Sequence, residues 1–214
     1  HTMMHERVGY RLYRAAGVPA ARATHATLTM NGESYGLYTH LETIDEGFIR
    51  RWCDQADGIL VELADADFTS ELIDGFELKY NGDDTMSAKD TLDNIQGAIA
   101  ALAIEDPNEA LAAVAEHIDL NQFIRYWAVY AVIGQFDAYP YTMPGDDCHL
   151  YDDPSSERIH TIPHGIDESF YSSSKNILDG AIGLLATTCL ESPVCTSQLE
   201  QQVSEILDVS DAIN

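Results

Sequence analysis

The chain has 214 residues, 45% of them hydrophobic and 22% charged, which is enough for one good core or a core with a smaller lobe against it, and it gives no sign of two independent domains. Its 36 acidic residues against 11 basic ones give a formal net charge of −25, a field that repels nucleic acid and anionic membranes and argues against both as partners. No apolar run approaches the ~20 residues of a membrane-spanning helix, no D-x-D-x-D-G calcium loop occurs, and the four cysteines include no C-x-x-C pair of the zinc-holding kind.

The first predicted element is a helix. Met3, Met4, Val8, Leu12 and Tyr13 recur at near-helical spacing, and Ala15-Ala16-Gly17 stops them. A chain that opens inside such a pattern is expected to be a fragment, with any export signal upstream. From Arg22 to Met30 the residues alternate, Asn31-Gly32 supplies a type I′ turn, and Ser34 to Leu41 alternate again, so a β-hairpin closing at Glu42 is predicted. Asp45 is placed to cap a short helix carrying Phe48, Ile49 and Trp52, with Glu46 in its first turn.

Gly58 to Leu63 reads as a buried strand and Gly75 to Tyr80 as another, before the loop Asn81-Gly82-Asp83-Asp84. Three helices are predicted next. Leu92, Ile95, Ile99 and Leu102 form one stripe, Pro107 opens a helix with Leu111 and Val114, and Asp119 caps a third with Leu120, Phe123, Ile124, Trp127 and Ala131. The third helix is expected to carry Phe136-Asp137 at its carboxyl end. Cys148 to Tyr151 and Ile159 to Ile162 then pair across a turn at 152–156, with Asp167 just beyond. A β-rich first part, a helical second part and acidic residues near the junction predict an α+β, two-lobed outline. Cys189 and Cys195 bracket a short proline-containing segment and suit a local disulfide in an oxidising compartment, whereas Cys53 and Cys148 read as buried thiols.

Two stretches stand out together. The first is Arg11-Leu12-Tyr13-Arg14-Ala15-Ala16-Gly17-Val18-Pro19-Ala20, continued by Met30-Asn31-Gly32-Glu33-Ser34-Tyr35-Gly36-Leu37-Tyr38 and Leu41-Glu42-Thr43-Ile44-Asp45. The second is Gly134-Gln135-Phe136-Asp137-Ala138-Tyr139, then the segment ending Leu150-Tyr151, then Ile162-Pro163-His164-Gly165-Ile166-Asp167-Glu168-Ser169-Phe170. In this order they resemble the spore-coat protein H (CotH) kinase family. The resemblance implies an atypical protein-kinase-like fold with an incomplete amino-terminal lobe, residues 1–84 forming its β-rich remainder and 85–214 a mainly helical second lobe. It also implies transfer of the γ-phosphoryl group of ATP, with Mg²⁺ or Mn²⁺, to serine or threonine hydroxyls of secreted or surface proteins.

Carried over residue by residue, Asp137 matches the catalytic aspartate and Asp167 a metal-binding acid in a Pro-Trp-(Asp/Gly)-x-Asp-like motif. Asp147 stands where the family often has asparagine, and His164 where it has tryptophan. Glu42 matches the glutamate of a Gly-x-Tyr…Glu motif. The chemistry agrees with these roles, since phosphoryl transfer needs hard oxygens for a metal and a carboxylate to orient the acceptor hydroxyl. Glu42, Lys79 and His164 are the nucleotide-side candidates.

Each residue also has a plainer reading. Asp137 and Asp167 could end or cap helices, Asp146 could replace Asp147, Glu42 could cap its own strand, and Lys79 could be a solvated strand lysine. The acidic surface could serve only solvation in a saline or extracellular setting. Tyr126, Trp127 and Tyr130 read as helix packing. Two other functions stay open: a non-catalytic coat or adhesion protein, and a metal-dependent hydrolase using His149, His160 or His164. No H-x-H or H-E-x-x-H signature supports the hydrolase, so the pattern favours core or loop histidines.

Overall fold

A computed structural model describes residues 4–82, 92–135, 137–142, 145–171 and 180–213. The first helix, α1, spans His5–Ala15 and ends where Gly17 takes a positive φ of 74°, a backbone state that costs glycine nothing. Strands β1 (Ala23–Met30) and β2 (Glu33–Leu41) pair antiparallel as a separate two-stranded sheet. Asn31 and Gly32 turn the chain with φ of 53° and 86°, as a type I′ hairpin requires. Helix α2 (Glu46–Trp52) follows, its first turn capped by Asp45 Oδ1, which accepts from the Phe48 amide at 3.1 Å.

The central element is a four-stranded antiparallel sheet in the order β4-β3-β5-β6, built from β3 (Ile59–Leu63), β4 (Phe76–Asn81), β5 (Cys148–Asp153) and β6 (Arg158–Pro163). Two strands thus come from before residue 84 and two from after it, so this sheet joins the two expected parts. β5 runs on through Asp153, which moves the predicted turn to the residues after it.

Between β3 and β5 lie helices α3 (Asp93–Leu102), α4 (Pro107–Val114) and α5 (Leu120–Val132), and after β6 come α6 (Leu184–Glu191) and α7 (Pro193–Ile213). Asp119 Oδ1 caps α5 by accepting from the Gln122 amide at 3.0 Å.

Alternation divides the sheet into two faces. Val61, Leu63, Cys148, Leu150 and Ile159 point into the main core with the aromatic side of α5, where Phe123, Tyr126, Trp127 and Tyr130 are fully buried. Leu60, Tyr151 and Ile162 point the other way, into a small cluster with Phe48 and Ile49 of α2. The disulfide Cys189–Cys195 ties α6 to α7 across Ser192, as the cysteine spacing suggests, while Cys148 is buried and Cys53 half-buried. Among the described residues, no helix is long and apolar enough to cross a membrane.

Candidate active site

The loops bearing the three candidate aspartates are fastened to one another. Helix α5 stops at Val132, and Gly134, with φ of 66°, releases the chain. Asp137 therefore lies in the loop beyond the helix and not at its carboxyl end, because glycine at this position ends the helix before the aspartate is reached.

The aromatic residues of α5 hold that loop. Tyr126 Oη donates to the Tyr139 carbonyl at 2.8 Å, Trp127 Nε1 donates to Tyr141 Oη at 2.9 Å, and the Tyr130 and Tyr141 rings stack at 5.6 Å. Such buried polar contacts fix a loop in position as well as filling space.

The same loop reaches both other acids. The Tyr139 amide donates to the Asp146 carbonyl at 3.1 Å, Gln135 Nε2 donates to the Gly165 carbonyl at 2.9 Å, and the Phe170 amide donates to the Ile133 carbonyl at 2.6 Å. The His164 amide donates to the Asp147 carbonyl at 3.3 Å. Asp147 itself has a φ of 51°, a left-handed state that aspartate tolerates better than most residues. Gly165 also has positive φ, at 57°, and a Cβ there would collide with the Asp147 carboxylate, so glycine is what lets the two loops close.

Asp167 sits within a short 3₁₀ turn, Ile166–Glu168, and Gly165 occupies the capping position that the plainer reading gave to the aspartate. Asp137 and Asp167 are exposed and Asp147 is half-buried, and none of them pairs with an arginine or lysine among the described residues.

Two tyrosines report the field these acids make. Burial raises the Tyr10 hydroxyl well above its ordinary value, and the charges of Glu6, Asp147 and Asp167 add to it. Burial does the same at Tyr130, where Asp147 and Asp137 contribute. Asp147 thus acts on both rings, with Asp167 on one side and Asp137 on the other.

Beside these loops, on the α2 side of the sheet, lies a cavity of about 340 Å³. It is lined by Tyr10, Glu42, Glu62, Lys79, His149 and His164, with Ala21, Leu41, Thr43 and Ile44 closing it. Glu42, Lys79 and His164, chosen from sequence as nucleotide-side candidates, therefore share one cavity. A larger cleft of about 570 Å³ between α1, α5 and α7 contains none of the predicted site residues.

Glu42 is anchored by Arg22 and Arg51. Arg22 Nη2 lies 2.8 Å from Oε1, and Arg51 Nη2 donates to Oε2 at 2.6 Å. Burial would raise this carboxyl, but the hydrogen bonds from Arg51 and Arg22 prevail and hold it at about 2. Glu42 thus joins the end of β2 to α2.

Lys79 reaches the cavity through an irregularity in β4. Leu60 pairs with Tyr80 and Val61 with Leu78, which leaves Lys79 as an extra residue in a bulge. Its ammonium sits 3.0 Å from Glu77 Oε2 and also pairs with Glu62 Oε2. Glu62 and His149 are direct cross-strand partners of β3 and β5 and so share the cavity face.

Sequence reasoning missed Glu62. Its signal was a single carboxylate within the apolar run Ile59-Leu60-Val61-Glu62-Leu63. His149 and His164 meet edge to face with ring centroids 4.8 Å apart, whereas His160 turns away to Ser156, Asp153 and Asp119. Burial, with help from the neighbouring His164, lowers His149 to about 4. Asp147, 3.7 Å from Nδ1, raises His164 despite its partial burial.

The chain is α+β, and the loops bearing the three acids are fastened to one another beside a cavity lined by Lys79 and by the arginine-anchored Glu42. The sequence pattern of the family described as CotH kinase protein matches residues 1–209, and the chain belongs to that family. Membership points to kinase-like function and to nucleotide and metal use. No curated protein matches the chain. The Cys189–Cys195 disulfide fits an extracellular protein.

Proposed function

We propose that the chain is a two-lobed, kinase-like phosphotransferase that uses ATP and Mg²⁺ or Mn²⁺ to phosphorylate serine or threonine hydroxyls of secreted or surface proteins. The observation that carries this reading is the fastening of the Asp137, Asp147 and Asp167 loops to one another beside the cavity that gathers Glu42, Lys79 and His164. In this reading the four-stranded sheet is the seam between residues 1–84 and 85–214.

Asp137 is the catalytic carboxylate. It has no cationic neighbour to neutralise it among the described residues, and it is exposed to an incoming partner. It orients the acceptor hydroxyl and takes its proton while that oxygen bonds to the γ-phosphorus and the β–γ anhydride bond opens, the electron pair leaving with ADP. Asp147 and Asp167 offer the few hard oxygens that suit a small divalent cation, and Asp147 sits against Gly165 where the two loops close. A cation held there would screen the phosphate charge during transfer. Lys79 and His164 supply positive charge on the cavity side, where Glu42 is already neutralised by Arg22 and Arg51.

The test is Asp137→Asn in the full chain. Transfer of labelled phosphate from ATP to the protein itself should be abolished while the melting temperature stays unchanged, and a variant that still incorporates label removes Asp137 from the reaction. Wild-type protein that gives neither heat nor thermal shift with Mg²⁺ and ATP would instead support the coat or adhesion reading.

A further inference from the structure

The cavity holds a second constellation, which shares His164 with the nucleotide side. Glu62, His149 and His164 each offer one ligand atom, and these atoms lie within 4.8 Å of one another. Glu62 Oε1 is 3.9 Å from His149 Nε2 and 3.8 Å from His164 Nδ1. Those separations are too long for hydrogen bonds, and both histidines contact the same Glu62 oxygen, Oε1. His149 is only 7% exposed, and His164 Nδ1, the atom that faces Glu62, is buried without a hydrogen-bond partner. A buried polar atom left unsatisfied in this way asks for a missing water or ion.

From this geometry we infer a transition-metal site of the zinc type, with Glu62, His149 and His164 as its protein ligands and an open position facing the cavity. A tetrahedral zinc at ordinary bond lengths separates its ligand atoms by roughly 3.3 Å, so closing the site needs about half an ångström in each of the two contacts to Glu62 and at most about 1.5 Å between the two histidine nitrogens, which lie within 4.8 Å. Two imidazoles with one carboxylate select a borderline ion such as Zn²⁺ over Mg²⁺, which prefers oxygen alone.

The ligands come from β3, from β5 and from the loop after β6, so the ion would pin that loop, with Gly165 and Asp167, to the sheet. Glu62 is suited to the task because its oxygens are divided: Oε1 faces the histidines while Oε2 is held by Lys79. Asp147, 3.7 Å from His164 Nδ1, adds negative charge beside the ion. This site shares His164 and its cavity with the phosphotransferase reading, but it takes a different class of ion and does not use Asp137.

The full chain, stripped with a chelator and dialysed, should be titrated with Co²⁺ as a spectroscopic stand-in for Zn²⁺. The expected result is one ion per chain with visible d–d absorption of low-coordinate cobalt, displaced by Zn²⁺ and not by a large excess of Mg²⁺. His164→Asn and Glu62→Gln, each checked for an unchanged circular dichroism spectrum, should weaken binding roughly 10- to 100-fold or more. Asp137→Asn should leave it unchanged, which separates this site from the failure or success of phosphoryl transfer. Absence of a stoichiometric cobalt band, equal affinity in the His164 and Glu62 variants, or displacement by Mg²⁺ would each overturn the assignment.

Discussion

On one face of the four-stranded sheet, Val61, Leu63, Cys148 and Leu150 are at most 4% exposed and meet the helices. On the other, Glu62 and His149 stand in the next positions along the same strands, and Lys79 leans in from a bulge. Adjacent residues of a strand are thus assigned to opposite tasks by the pleat alone. The helix side is held by area removed from water, which carries no charge to titrate or to screen. The cavity side is held by paired charges, whose strength depends on pH and on ions.

That contrast is sharpest at Leu150. Leu150→Ala should cost about 2–5 kcal/mol in urea unfolding, because the site lies between the sheet and helices that cannot all collapse into the gap. A loss below about 1 kcal/mol would mean that the helix face is not close-packed and that the division between the faces is wrong. Gly165→Ala probes the seam where the charged side meets the loops. It should cost about 1–2 kcal/mol for placing a side chain in left-handed backbone, and the new methyl would push the Asp147 carboxylate out of place. Thermal shift with Mg²⁺ and ATP should fall in the same variant, and an unchanged shift would detach Asp147 from metal binding.

The two faces were not equally legible in the sequence. Helices α3 to α5 follow from apolar stripes, and the hairpin follows from Asn31-Gly32, because each depends on neighbours a few residues apart. Asp137, Asp147 and Asp167 could be named as candidates, through resemblance and through the apolar segments they adjoin. Glu62 could not, since its partner His149 is fixed only when β3 pairs with β5 across three intervening helices. Lys79 could be named, but not its bulge, which depends on how β4 slips against β3. Glu42 could be named as well, but nothing in its neighbourhood selected Arg22 and Arg51 from the other arginines. The end of α5 was placed too late because the apolar periodicity runs on into Gly134, where backbone conformation and not hydropathy decides.

The smallest expected effect is at Glu42, and it shows whether charge pairing on the cavity side contributes to stability. Its carboxyl is held at about 2 in the folded chain against an ordinary value of 4.5, so the unfolded chain takes up the proton first as pH falls. The stabilisation is complete above the ordinary value and is lost as pH drops from there towards 2. Its size is about 1 kcal/mol or less, since Arg22 is largely exposed and water screens its share. Melting temperatures of wild type and Glu42→Gln should therefore differ most near neutrality and converge between pH 4.5 and 2. Parallel curves across that window would show that the arginine pairs position Glu42 without stabilising the fold, and would leave the cavity side resting on the small cluster of Phe48, Leu60 and Tyr151.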